Sequence, residues 1–227
     1  MKRRFLSLFL ILIISMLGLV SCNVIKDKVY DATGAEYFEF VLREDGNYAL
    51  TAKSGATLPE KVKFPAEYNG KPVVEIKASA FKNNNEIKEV IIPVGYEIIG
   101  VEAFAYCTKL SSLTIGQQGG TTTRKTTIRA SAFQGCSALA TVTLGECVEV
   151  IDSYAFYETM ITALNSRGLT KVGYRSFGNC TSLKTFYIPA SLENIDESAF
   201  EGSNNVSFTV SDSNKVYGVR DGELVRK

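Results

Sequence analysis

The chain contains no histidine and no tryptophan. Without histidine it lacks the usual general base near neutral pH and the commonest metal ligand. A Ser-His-Asp or Cys-His catalytic set cannot be assembled within it. Without tryptophan it lacks one favoured flat anchor for a ligand, although 11 Tyr and 13 Phe remain. Charge excess is missing as well: 25 basic residues stand against 24 acidic ones. A nucleic-acid partner favours a basic stripe, so no electrostatic case for nucleic acid exists. What remains is 227 residues, 45% of them hydrophobic and 22% charged. That is the composition of an ordered protein, and the length suits one domain or one elongated array.

The N-terminus reads MKRRFLSLFLILIISMLGLVSC. Lys2, Arg3 and Arg4 precede an uncharged apolar run from Phe5 to Val20. This is the layout of a secretory signal peptide, and the run is shorter than the roughly 20 apolar residues of a spanning helix. Leu19-Val20-Ser21-Cys22 resembles the bacterial lipobox. The resemblance implies that the Cys22 thiol carries a diacylglyceryl group and that the leader is cut just before it. The alternative is a plain secretory signal that contains a cysteine. Residues 1–21 are read as a lipoprotein signal peptide, Cys22 as the lipidation site and 22–35 as a tether. Each buried methylene contributes about 0.8 kcal/mol of membrane affinity, so several acyl chains anchor firmly. Asn23 is not the Asp that retains some lipoproteins at the inner membrane, which favours the outer membrane or cell surface.

The rest of the chain repeats itself. Phe81, Phe104, Phe133, Phe156, Phe177 and Phe200 recur at spacings of 23, 29, 23, 21 and 23. Five residues before each stands Ile76, Ile99, Ile128, Ile151, Val172 or Ile195. Three after each stands a small or polar residue: Asn84, Cys107, Cys136, Thr159, Cys180 or Ser203. Next comes an aliphatic, then a short alternating stretch such as Leu113 and Ile115 or Phe186 and Ile188, the pattern of a strand with one face inward. A period of 20–29 residues with one strand per unit predicts a leucine-rich repeat solenoid. One coil cannot bury its own Phe, Ile and Leu, so each must cover the next, which is why the same residue types return.

The best copies, IGVEAFAYCTKLSSLTI, IRASAFQGCSALATVTL and VGYRSFGNCTSLKTFYIP, resemble the BspA-like leucine-rich repeats of bacterial surface proteins. The resemblance covers about residues 60–210. The repeat implies a parallel β-sheet on one face with short helical or irregular turns opposite; Phe38, Phe40 and Leu42 alternating before Asp45-Gly46, and Asp221-Gly222 near the other end, read as β-hairpin caps at both ends. The expected organisation is an N-terminal hairpin cap over 36–73, six repeats over 74–210 and a C-terminal cap hairpin over 211–227. Repeat four is short and lacks the Cys. Gly116 to Thr127, Gly- and Thr-rich without an apolar residue, is an insertion in a surface loop. It is either a contact loop with Arg124 and Lys125 at its tip or a tolerated lengthening.

Cys107, Cys136 and Cys180 share one repeat position with Thr and Ser, so they read as small buried residues rather than a thiol site or stacked disulfide. Cys147 stands outside the pattern. Asp152 and Asp196 occupy equivalent slots and read as outward turn residues, not a catalytic pair. Asp212-Ser213-Asn214 begins like a calcium loop, but Tyr217 stands where that loop needs Gly. No catalytic residue, metal ligand or cofactor is expected.

The working surface is expected on the outward side of the strands. It comprises Glu89, Ile91, Thr114, Thr143, Lys184, Tyr187 and Thr209, with Tyr187 beside Lys184 as the favoured contact. The function expected is a surface-anchored protein-binding module engaged in adhesion or protein–protein interaction, and not an enzyme. The resemblance implies as partner a host matrix protein or another bacterial surface protein, with the membrane reached through the lipid. The alternatives are a glycan-binding accessory lipoprotein, which predicts aromatic platforms on the exposed face, and an envelope scaffold.

Overall fold

The computed structural model describes residues 32–116 and 123–227. The expected leader, Cys22, most of the tether and the centre of the insertion lie outside the described residues. Thr33–Lys227 forms one compact unit. Among the described residues no helix is long and apolar enough to cross a membrane, and the helical content is a 3-10 turn at Ala35–Tyr37.

The unit is a parallel solenoid with two ladders of strands rather than one. The first ladder stacks Lys71–Ile76, Ile98–Ile99, Thr126–Ile128, Val148–Ile151, Lys171–Val172 and Asn194–Ile195. Its register places Ile76 on Ile99, Ile99 on Ile128, Ile128 on Ile151, Ile151 on Val172 and Val172 on Ile195. The β-branched column five residues before each Phe is thus itself a short strand, where the turn side was expected to be helical or irregular. Branching at Cβ suits this pleated stack better than a helical turn.

The second ladder carries the alternating stretches. Lys61–Lys63, Glu89–Ile92, Ser112–Ile115 and Thr141–Leu144 form four strands, and Ala163–Leu164, Thr185–Ile188 and Ser207–Val210 form three more. The gap falls after Thr141–Leu144, at the short fourth repeat. Lys61–Lys63 also shows that the stack begins one coil before the six repeats.

Between the ladders the six phenylalanines form one column of parallel rings. Centroids are 5.0 Å apart for Phe81 and Phe104, 5.2 Å for Phe104 and Phe133, and 5.2 Å for Phe133 and Phe156. They are 5.5 Å for Phe156 and Phe177 and 5.6 Å for Phe177 and Phe200. Each ring covers the next, so none can be buried by its own coil.

The corners around each Phe use left-handed backbone. Ser79, Asn83, Glu102, Tyr106, Ser131, Tyr154, Glu158, Arg175 and Asn179 have φ between 47° and 62°. They lie two residues before or after a Phe, and this alternation aims successive N–H groups at the next coil. Ser131, Phe133 and Gly135 donate to the carbonyls of Ser153, Ala155 and Tyr157 at 2.8–2.9 Å. Left-handed φ costs a non-glycine residue about 1–2 kcal/mol; here the three coil-to-coil bonds hold it.

The small position three after Phe has an equally physical cause. Cys107, Cys136 and Cys180 donate their S–H to the carbonyls of Phe81, Phe104 and Phe156, each at 3.1 Å. Ser203 donates to Phe177 O at 2.7 Å. The position asks for a compact buried donor, which thiol and hydroxyl both supply. All four described cysteines are free.

Both ends carry hairpins. Phe38–Leu42 and Tyr48–Ala52 pair antiparallel, and Phe38 packs on Phe64 at 5.5 Å. At the other end Tyr217–Arg220 and Glu223–Arg226 pair through Asp221-Gly222, both left-handed, as a tight hairpin turn requires. Asn214, 1% exposed, donates to Pro189 O and Leu192 O and accepts the N–H groups of Val216 and Tyr217. That stretch is therefore a structural clamp.

Candidate binding surface

On the outward side of the second ladder the register aligns Lys63, Ile91, Thr114 and Thr143 in one row. Tyr187 and Thr209 are paired beyond the gap. A flanking row runs Lys61, Glu89, Ser112 and Thr141, then Ala163, Thr185 and Ser207.

Two of the expected contact residues do not fit the role. Ile91 is only 9% exposed, since an aliphatic set between the strands of Lys63 and Thr114 is covered by its neighbours. Glu89 is held by Lys61 at 2.8 Å. Thr114 and Tyr187 are half-buried, while Thr143, Lys184 and Thr209 are exposed. With Ser112, Thr141, Thr185 and Ser207, these side chains make no hydrogen bond or ion pair among the described residues. The gap divides them into two patches. One is all hydroxyl, around Thr114 and Thr143; the other holds Tyr187 and Lys184 among Thr185, Ser207 and Thr209.

Elsewhere the charges are spent between coils. Arg43 meets Glu75 at 3.0 Å, Lys82 meets Glu102 at 2.8 Å, Lys125 meets Glu149 at 3.2 Å and Arg129 meets Asp152 at 3.4 Å. Arg124 bonds Glu97, and Arg175 bonds Glu201. Arg124 and Lys125 are therefore engaged by neighbouring coils. Asp152 pairs with Arg129, and Asp196 accepts the Ser198 N–H at 2.9 Å. Among the described residues no group of three or more Cys, Asp or Glu is placed to hold a metal. Burial raises the Cys180 thiol pKa, and the contact with Cys107, with burial second, raises that of Cys136 well above the ordinary range. Neither is poised as a nucleophile.

The turn side carries a surface that the repeat pattern did not reveal. Tyr106, 40% exposed, lies over Gly135, where a Cβ would come within 2.5 Å of its ring. Tyr157 lies likewise over Gly178, at 2.8 Å. Their hydroxyls accept from Gln134 at 3.2 Å and Asn179 at 2.8 Å. Tyr154 meets both Tyr157 and Tyr174 edge-on at 5.4 Å, and Arg175 lies 5.4 Å from the Tyr174 ring centre. The proximity of Tyr154 raises the Tyr174 pKa. These tyrosines sit at four different places in the repeat unit: two after Phe, two before, one after and three before. No column in the sequence announces them; stacking of the coils brings Tyr154, Tyr157 and Tyr174 into edge contact, and places Tyr106 on the neighbouring coils.

Comparison with known proteins agrees with this geometry. The family model of the BspA type leucine-rich repeat region, with six copies, matches residues 120–219. No curated protein matches the chain. A leucine-rich repeat protein of T. pallidum is 24% identical with a TM-score of 0.54, over 79% of this chain and 70% of that one. One from Bacteroides ovatus is 22% identical with a TM-score of 0.57, over 80% of this chain and 53% of that one. A leucine-rich cell surface protein from Faecalibacterium prausnitzii is 24% identical with a TM-score of 0.58, over 86% of this chain and 58% of that one. At such identities the likeness shows the fold. The chain spans little more than half the length of the latter two.

Proposed function

We propose that this chain, which carries a leucine-rich repeat region of BspA type, is a binding module that takes a protein partner on the open face of its second ladder. A stack of this kind is a protein-interaction scaffold. The supporting observation is the patch around Tyr187. A phenol and the Lys184 ammonium stand among three hydroxyls, and none is used within the described fold. Tyrosine supplies contact area at little entropic cost, and uncommitted hydroxyls supply adaptable hydrogen bonds. The partner class is a host matrix protein or another bacterial surface protein.

The chain is held at the envelope by lipid on Cys22. The lipobox-like Leu19-Val20-Ser21-Cys22 supports this, as does the description of one protein of the same fold as a cell surface protein. Labelling cells with an alkynyl fatty acid should mark the chain and fail to mark Cys22→Ser; equal labelling of both would remove the anchor.

A second reading is favoured by one observation, the tyrosine strip of Tyr106, Tyr154, Tyr157 and Tyr174. Tyr106 and Tyr174 are exposed and Tyr154 and Tyr157 half-buried, and aromatic rings beside Asn, Gln and Arg side chains are a platform for a glycan. The deciding experiment screens the full chain, in non-ionic detergent, on arrayed matrix proteins and glycans. Saturable binding to a protein that falls at least about tenfold with Tyr187→Ala supports the strand-face reading. Glycan binding lost with Tyr174→Ala replaces it, and silence on both arrays moves the function to an envelope scaffold.

A further inference from the structure

We infer that the C-terminal end of the stack is a second docking site, taking an extended basic peptide segment as an added strand. The main-chain accounting points there. Earlier coils hand the N–H groups at and two after their Phe to the following coil: Phe156 and Glu158 donate to Ser176 and Gly178, and Phe177 and Asn179 to Ala199 and Glu201. In the last coil the corresponding groups belong to Phe200 and Gly202. Neither has a partner among the described residues.

The second ladder ends in the same way. Ser207 and Ser211 donate inward, to Lys184 O and Ile188 O. In a parallel ladder the alternate residues, Phe208 and Val210, therefore aim their main-chain groups outward. The C-terminal hairpin lies beside this strand, with the Tyr217 hydroxyl accepting the Ile195 N–H at 2.8 Å. Its two strands pair with each other and not with Ser207–Val210. An unpaired edge of this kind is a template for another strand.

A cavity of about 760 Å³ lies between this hairpin and the last coil. Its floor is apolar, built from Phe200, Val206, Phe208 and Leu224, all only partly buried. At the opposite end of the stack Phe38 and Phe64 are 4% and 0% exposed beneath their hairpin. The cavity rim carries Asp196, Glu197, Glu201 and Glu223 against one cation, Arg226. Of these carboxylates, among the described residues only Glu201 is ion-paired, with Arg175.

These features select one class of occupant. A row of open N–H and C=O groups is matched by another main chain, not by a sugar or a lipid. The floor takes apolar side chains at every second position. Four carboxylates around it favour lysine or arginine at the positions between. The site shares the strand Ser207–Val210 with the Tyr187 patch but uses its main-chain edge and not its outward side chains.

The test measures fluorescence anisotropy of labelled seven-residue peptides with the full chain in non-ionic detergent. The probes are KVKVKVK, EVEVEVE, and KVKVKVK N-methylated at alternate amides. The expected result is saturable binding of the first with a Kd below about 1 mM, and at least about tenfold weaker binding of the other two. Glu197→Lys with Glu223→Lys, both exposed in the native chain, should reverse the preference toward EVEVEVE. Absence of saturable binding, equal binding of both charge types, indifference to N-methylation, or no effect of the double reversal overturns the proposal.

Discussion

Truncating Phe133 to alanine tests the principle that holds the stack together. Its ring is fully buried and lies between two others, 5.2 Å from Phe104 at 4° and 5.2 Å from Phe156 at 6°. Deleting a buried phenyl group costs about 3–5 kcal/mol. Each aromatic pair adds about 0.5–1.5 kcal/mol beyond burial, and here two pairs are lost. Phe133→Ala should therefore cost about 5 kcal/mol, a large share of the roughly 5–15 kcal/mol of a typical domain. Phe133→Leu keeps most of the apolar volume but loses both ring pairs, so it should cost about 1–3 kcal/mol. Urea unfolding followed by far-UV circular dichroism and tyrosine fluorescence gives both values, and the absence of tryptophan leaves the tyrosine signal clean. A solenoid couples neighbours only, so the alanine variant should also show a lower m-value as the halves of the stack unfold separately. A cost below about 2 kcal/mol for Phe133→Ala, or equal costs for Ala and Leu, would refute the reasoning.

Two further outcomes follow from the corners and the thiols. Glu158 holds a left-handed φ of 58° where coils three and six place Gly135 and Gly202; Glu158→Gly should therefore stabilise the chain by about 0.5–1 kcal/mol in the same urea assay, and a destabilisation would contradict the strain assigned to that corner. Cys136 and Cys180 are buried with raised thiol pKa values, while Cys147 is only partly buried. A thiol reagent at pH 8 should thus label Cys147 well before them, and mass spectrometry of the labelled peptides decides. The pH dependence has a definite sign. The unfolded chain loses these thiol protons above about pH 8.5 while the folded chain keeps them, so stability is complete below that range and falls as pH rises through it.

Much of the fold was legible because a solenoid repeats its demands. Phe81 through Phe200 each need a neighbour's ring, and the column of Ile and Val needs in-register stacking, so residue identity and spacing carry the coil. The hairpin turns at Asp45-Gly46 and Asp221-Gly222 were readable for a local reason, since backbone twist there favours residues that tolerate positive φ. The first ladder was not legible. Two-residue strands such as Ile98–Ile99 are too short to show an alternation, and they exist only because the neighbouring coil completes them. Nor were the left-handed corners, because Glu102, Tyr154 and Arg175 are not residues that advertise such a conformation.

The binding surfaces divide along the same line. The outward strand positions follow from period two, so Thr114, Thr143, Tyr187 and Thr209 were identifiable from the chain alone. Which of their neighbours were already engaged was not, because the Lys61–Glu89 pair and the covering of Ile91 are contacts between coils. The tyrosine strip and the open C-terminal end are tertiary in the strict sense. Tyr106, Tyr154, Tyr157 and Tyr174 occupy four different slots of the unit, and the unpaired N–H groups of Phe200 and Gly202 are defined by a neighbour that is missing. Sequence determined the unit, its stacking column and its outward row, since each of those is a constraint within one repeat. Tertiary structure alone decided what the stack leaves unsatisfied, because that depends on which coil lies beside which.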